Sequence, residues 1–435
     1  MTNNDLRRAV KGGVLLPGED GFEQAAKPWN LAVDQPVAAV VEAQDADDVA
    51  AVVGHAARAG LAVAAQPCGH GASGDVDGVI LLRTKRLDSV TVRPGERLAR
   101  VGAGVQWGSL QSATATHGLT GPAGSSPVVS VTGFSLGGGL SWFGRKHGWA
   151  AAAVSAFDVV TADGDQLRVT AESDPDLFWA LRGGGGDFAL VTALEIGLFP
   201  APEVYGGRVV WPGHLAGEVF DAFRELTAEA PPELTLWLNR LQFPGAPPMV
   251  ALDIAYLGEA GEGQALLSRL DKIDGVIADR RGVVPVADLG SIADEPTDPG
   301  PGLSRAELLT GLDDAVVEIL LSEPIDPLVN VQLRHLGGAL AEPASSAIGA
   351  VSEPYQLSMV GLALGPELAR AVTEKQSRLA EQVGEHVSGR KLYTFLSRGE
   401  SAAAAFPEET LGRLREIKRA RDPRHTIRAN YPVLG

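Results

Sequence analysis

Cysteine is almost missing from this chain: Cys68 stands alone among 435 residues. That excludes an internal disulfide and any multi-cysteine metal site, and it fits a reducing compartment. Positive charge is also short, with 37 Lys and Arg against 54 Asp and Glu and a net charge of -17. Nucleic acid and anionic membrane surfaces need clustered basic residues, so neither is expected as a partner. No apolar run approaches the roughly 20 residues of a membrane span or forms a signal h-region. The beginning, Met1-Thr2-Asn3-Asn4-Asp5, is polar. The expectation is a cytoplasmic protein of about two domains, monomeric or homodimeric, with no metal site.

What the chain does have is glycine, and it is clustered. The first cluster is Gln66-Pro67-Cys68-Gly69-His70-Gly71-Ala72-Ser73, just past the strand-like stretch Leu61 to Ala65. A histidine boxed by glycines at a strand end is rarely plain core packing. Glycine permits φ > 0 and close backbone approach, and successive N–H groups in such a bend can converge on an anion such as a diphosphate. A second cluster runs from Gly121-Pro122-Ala123-Gly124-Ser125-Ser126-Pro127 to Leu136-Gly137-Gly138-Gly139-Leu140. The third is Asp176-Leu177-Phe178-Trp179-Ala180-Leu181-Arg182-Gly183-Gly184-Gly185-Gly186-Asp187-Phe188.

Up to about residue 200, helix and strand signals alternate. Asp45 to Asp48 suit a helix start, Val49, Val52, Val53 and Ala56 recur at helical spacing, and Gly60 suits its end. Val159 to Val169 reads as a hairpin around Asp163-Gly164, and Asp174-Pro175 as the cap and first residue of a short helix. Beyond Leu198-Phe199-Pro200 the pattern changes. Alternating strands at Leu234 to Leu241, Met249 to Leu257 and Leu328 to Leu336 are interleaved with a helix from Leu215 to Ala230. Asp294 to Gly302 reads as an exposed loop, and Pro407 to Lys418 as a charged helix.

Taken in order, these residues resemble the vanillyl-alcohol-oxidase-type FAD-binding fold, and within it the berberine-bridge-enzyme-like oxidoreductases. The resemblance rests on Pro17-Gly18, Trp29-Asn30, Gly69-His70-Gly71, Arg100 to Trp107, Gly124-Ser125-Ser126-Pro127, Leu136 to Gly139, Asp176 to Gly186, Asp422-Pro423 and Asn430-Tyr431-Pro432. It is dense over residues 15 to 200, thin across the middle, and returns at the end. It implies an α+β architecture: a two-part FAD-binding domain of PCMH type (residues 1–200 and a returning segment 396–435) around an inserted substrate domain (201–395). That inserted domain would be an antiparallel sheet covered by helices.

The resemblance also implies which residues meet FAD. These are Pro67, Cys68, Gly69, His70, Gly71, Ala72 and Ser73 in the first bend. In the second they are Ser125, Ser126, Val129, Thr132, Gly137, Gly138 and Gly139, with Gly185, Val191 and Asn430 completing the set. His70 stands where many members join an imidazole nitrogen to the flavin 8α-methyl group. Ser126 occupies the place where some carry a second, cysteinyl link. A serine hydroxyl without a base is a poor nucleophile, so a single attachment is expected. The small Val129 resembles members that use O₂. The expected function is therefore an oxidase of small organic substrates in specialised metabolism, taking hydride from a C–H beside an O–H or N–H and passing electrons to O₂. A dehydrogenase with another acceptor, or a flavin-loaded binding protein, are the alternatives.

Other residues carry weaker signals. Cys68 reads as a small buried hydrophobe. Gly102-x-Gly104-x-x-x-Gly108 misses the dinucleotide fingerprint by one residue and reads as a tight strand-to-helix turn. In Asn330 to His335, strand alternation sets Asn330, Gln332 and Arg334 on one face and Val331, Leu333 and His335 on the other. Related sequences carry carboxylates in this strand; amides stand here, which puts an Asp or Glu base in doubt. Gln332, Asn330 and Tyr393 are the catalytic candidates, with Tyr355 as a further polar group and His335 as a core or interface histidine.

Overall fold

The structure is a computed structural model that describes residues 3–201 and 203–435; Met1 and Thr2 of the polar start, and Pro202, lie outside the described residues. Local chemistry sets the elements of the first half. Asp45 accepts a hydrogen bond from the Asp48 N–H to begin the helix Ala46–Ala59, and Gly60 ends it at φ 67°. Val49, Val52, Val53 and Ala56 are all buried, each contributing roughly 1–3 kcal/mol of burial by size. They pack on a four-stranded sheet ordered Gly13–Leu15, Ala39–Glu42, Ile80–Arg83, Val63–Ala65, whose last three strands run parallel.

A second, five-stranded antiparallel sheet follows, ordered Val90–Arg93, Leu98–Gly102, Leu190–Gly197, Val154–Val160, Gln166–Val169. The expected hairpin forms between its last two strands. Asp174 caps the helix Pro175–Leu181 through the Leu177 N–H. The Gly102 to Gly108 stretch is the strand-to-helix turn, leading into Trp107–Ala115.

From Tyr205 to Leu362 the chain builds one eight-stranded antiparallel sheet. Its order across the centre is Tyr205–Pro212, Met249–Tyr256, Leu234–Leu241, Leu328–His335, Tyr355–Leu362, Gly302–Leu309. Three helices, Ala216–Ala228, Asp314–Leu321 and Pro366–Gln382, cover one face. Leu236, Leu238, Leu252, Ile254, Val331 and Leu333 point into that covered core. The opposite face turns toward the glycine-rich half, where Trp237 of the sheet stacks on Trp142 at 3.8 Å. The mixed helix and sheet architecture is the α+β fold expected.

Two buried charged contacts fix the arrangement. Arg145, on the short helix Gly144–His147, donates to the carbonyls of Leu234 (2.9 Å), Ala230 (2.9 Å) and Leu336 across the boundary. At the other end, Lys418 of the helix Glu408–Arg421 donates to the Asp422 carboxylate (2.8 Å) and to the carbonyls of Asp187 (2.6 Å) and Ile427 (2.7 Å). Asp422 also accepts from the Thr426 and Ile427 N–H groups, and Asp187 from Val433. Thr426 to Arg428 is thereby laid beside Val63 of the first sheet.

Candidate functional site

The three glycine-rich bends, far apart in sequence, form a closed circuit. In the first, Gly69 takes φ 83°, and a Cβ there would sit 2.9 Å from Pro28, so the bend admits no side chain. The backbone N–H of Ser130, in the second bend, bears on the Cys68 sulfur. Ser130 also caps the helix Val131–Leu136, accepting from the Gly133 N–H at 2.9 Å. The Gly185 N–H of the third bend donates to the Leu136 carbonyl at 2.9 Å. Gly185, at φ 91°, lies so close to Tyr393 that a Cβ would meet its hydroxyl at 2.4 Å. Tyr393 donates to the Tyr431 carbonyl (3.0 Å), and the neighbouring Asn430 amide lies 3.7 Å from where a Gly71 Cβ would be. The circuit returns to its start.

His70 is half-buried, stacked on Trp29 with ring centres 4.2 Å apart. Burial pushes its pKa down to about 4, so the imidazole is neutral near pH 7. Its Nδ1 stands 3.2 Å from the Cys68 sulfur, while Nε2 is buried without a partner. Cys68 is thus not simply a small apolar filler: it holds one nitrogen of His70, and burial raises its own pKa so that it stays a thiol. Ser126, Thr132 and Ser135 in the second bend also present buried hydroxyls with no partner. Ser125 is buried beside them, Val129 is partly buried with its carbonyl accepting from the Trp107 N–H, and Val191 is buried on the central strand of the second sheet. A Cβ on Gly137 would meet Thr394 at 3.2 Å, one on Gly138 would run into Ile348 and one on Gly139 into Phe134.

Buried polar atoms without partners are costly, roughly 1–3 kcal/mol each. Their concentration at this circuit fits a polar ligand that supplies the missing contacts, and the residues present fit FAD.

Facing the bends, the uncovered side of the large sheet carries a polar row. Asn330 (3.0 Å) and Gln332 (2.7 Å) both donate to the Asn239 side-chain carbonyl. Asn239 in turn donates to Asp253 at 2.9 Å, and Arg208 grips both Asp253 oxygens at 2.5 and 2.9 Å. Arg334 donates through Nε to Gln332 at 2.5 Å. The Asp253 carboxyl is fully buried; burial pushes its pKa up while Arg208 and Asn239 pull it down. The Asn330 carbonyl and that of Gln356 are left unpartnered.

Strand alternation therefore placed Asn330, Gln332 and Arg334 together correctly, and it missed Asn239 and Asp253. The same alternation in Leu-Thr-Leu-Trp-Leu-Asn239 and Leu252-Asp253-Ile254 could have found both.

Two candidates lie elsewhere. Tyr393 is in the core of the glycine-rich half, its hydroxyl committed to Tyr431 and its pKa raised by burial, so it keeps its proton. Tyr355 points under the helices and bonds Thr227 at 2.7 Å. His335 is an interface histidine, with Arg145 3.0 Å from its Nε2; burial, with that cation, takes its pKa down to about 3.

Comparison with known proteins follows the same lines. Residues 37–170 match the family model described as an FAD binding domain. The chain is 28% identical over 468 aligned positions to (R)-6-hydroxynicotine oxidase of Paenarthrobacter nicotinovorans, covering 98% of this chain and 97% of that protein. It is 37% identical over 179 positions to the FAD-dependent monooxygenase tpcD of Cochliobolus heterostrophus, covering 40% and 34%. Among solved structures, BBE-like 1 of Physcomitrella patens superposes with a TM-score of 0.88 at 19% identity, over 100% of this chain and 99% of that one. Xylooligosaccharide oxidase of Myceliophthora thermophila gives 0.83 at 21%, over 99% and 98%. At such identities the structural likeness speaks for the fold.

Proposed function

We propose that this FAD-dependent oxidoreductase, which carries an FAD binding domain and shares the fold of berberine-bridge-enzyme-like structures, is an oxidase of small organic molecules that uses O₂. FAD, when bound, supplies the chemistry: it accepts hydride from a C–H beside an O–H or N–H and surrenders the electrons to O₂ as H₂O₂. The observation that carries this reading is the closed circuit of bends, with the unpartnered Nε2 of His70 and hydroxyls of Ser126, Thr132 and Ser135, set opposite the amide row.

The residues divide the work. Gly69 to Ser73 and Gly137 to Gly139 let backbone N–H groups approach the cofactor, and Asn430 closes the site from the C-terminal segment. His70, with a neutral imidazole and an unpartnered Nε2, would be the residue to tether it, and Ser126 would add no second link. Val129 leaves a small volume for O₂. On the opposite wall, the Asn330 and Gln356 carbonyls accept the substrate's O–H or N–H, orienting its C–H toward the bends. Gln332 has both ends engaged, so it positions Arg334 and Asn239 rather than taking the proton. The proton leaves to water held against the amide row. Specialised metabolism suits such a site, where amides select by orientation.

Anaerobic mixing with a panel of alcohols and amines tests the reading through the visible spectrum. Bleaching by some member, followed by rapid recovery in air with H₂O₂ formed, is expected. A spectrum untouched by every member would leave a flavin-binding protein without turnover, and slow recovery in air would make it a dehydrogenase.

A further inference from the structure

Arg334 carries a cation that the described residues pair only loosely, with Glu295 at 4.0 Å. Its guanidinium is sandwiched between the faces of Trp237 (4.0 Å) and Phe395 (5.1 Å). Only Nε is hydrogen-bonded, to Gln332. Among the described residues the two terminal nitrogens have no hydrogen bond, and Glu295 on the Asp294 to Gly302 loop stands at 4.0 Å. Asp253 cannot serve, since its oxygens are taken by Arg208 and Asn239. A guanidinium stripped of water is costly unless its fork is filled.

The place of this fork is informative. Phe395 follows Thr394, which abuts Gly137 of the second bend. Trp237 stacks on Trp142, whose backbone N–H donates to the Ala123 carbonyl beside Gly124. Arg334 thus borders the space between the amide row and the bends, and its side chain, 12% exposed, is not sealed off. The planar fork matches a carboxylate, two parallel N–H···O bonds to two oxygens.

We propose that Arg334 is the anion-recognition group of the substrate pocket, so that the molecule oxidised carries a carboxylate. Glu295 is the internal competitor that the substrate displaces. The inference rests on the oxidoreductase reading above and narrows its substrate class.

The test titrates the flavin-loaded full chain with acetate and benzoate against acetamide and benzamide, following flavin absorbance and tryptophan fluorescence, to which Trp237 and Trp142 contribute. The acids are expected to bind at least about tenfold tighter than the amides, and Arg334→Gln to abolish that preference. Arg334→Lys, which keeps the charge without the fork, restores only part of it. Glu295→Gln tightens acid binding several-fold and leaves the amides unmoved.

Acids and amides titrating alike in the unaltered protein overturn the proposal. So does an acid preference that survives Arg334→Gln. Should Arg334→Gln fail to fold, the Glu295→Gln arm decides, and no tightening there counts against Arg334. Bleaching by neutral alcohols with no acid preference removes this inference alone. Acid preference without any bleaching removes the oxidase reading instead.

Discussion

The Trp29 indole lies face to face with the His70 imidazole, their planes only 16° from parallel. Trp29 also donates its backbone N–H to the Cys68 carbonyl at 2.9 Å, so one residue sets both the ring and the bend that carries it. His70→Ala is expected to send all yellow colour into the supernatant on acid precipitation, where the unaltered protein keeps it in the pellet. Trp29→Leu removes a stacked contact of about 0.5–1.5 kcal/mol and should slow the appearance of acid-stable colour roughly two- to tenfold. Equal retention in all three proteins would rule out the link at His70.

His335 makes stability fall in acid. Its folded pKa, about 3, is below the ordinary 6.5, so the unfolded chain binds the proton and the native chain does not. The contribution is complete above pH 6.5 and is lost as pH drops toward the folded value. By pH 5 the loss is roughly 2 kcal/mol. Urea midpoints of the unaltered protein and His335→Gln at pH 7 and pH 5 measure it, and the variant should show the shallower pH dependence. Parallel slopes would mean that His335 is not buried neutral.

Removing Lys418 strands two carboxylates, Asp187 and Asp422, both 1% exposed or less. Breaking a buried pair from one side costs about 3–5 kcal/mol. Lys418→Met should lower the denaturant midpoint accordingly. It should also weaken flavin retention, because the segment released carries Asn430. A variant with unchanged stability would show that the contacts at Lys418 are dispensable.

Gly185→Ala meets two penalties, a left-handed backbone at φ 91° and a Cβ driven into Tyr393. Together they amount to about 2 kcal/mol or more. The cofactor, and not only the fold, should feel this, since Tyr393 leans on the Tyr431 carbonyl next to Asn430. Equilibrium dialysis of FAD against His70→Ala with and without Gly185→Ala gives the answer; undiminished affinity would place Gly185 outside the circuit.

Elements governed by local rules could be read from the chain. Asp45 and Asp174 cap the helices expected of them, Gly60 ends one, and the alternation of Asn330, Gln332 and Arg334 survives intact. What escaped depends on neighbours remote in sequence. Tyr393 is polar and near a family position, yet its direction is decided by Gly185 and Tyr431 from two other segments. Tyr355 falls under the helices because its register partner is His335, whose face is the covered one. Cys68 gained a polar role through the ring of His70 turning back on it and the Ser130 N–H reaching it from the second bend. The alternation of Leu252 and Ile254 gives the face of Asp253, but its partners Arg208 and Asn239 come from other strands and show only once these are paired.

Arg145 limits how a molecule can reach the interior. Its guanidinium fills carbonyls at residues 230, 234 and 336, all in the opposite half. Spreading the halves like jaws would break all three of those bonds at once, so local yielding of the rim is the less costly way in. The stretch from Asp294 to Gly302 is placed for this, since Gly300 is fastened to Trp29 and Leu31 by backbone contacts alone. Access to the interior would then ask less of the two docked halves than of these few rim residues.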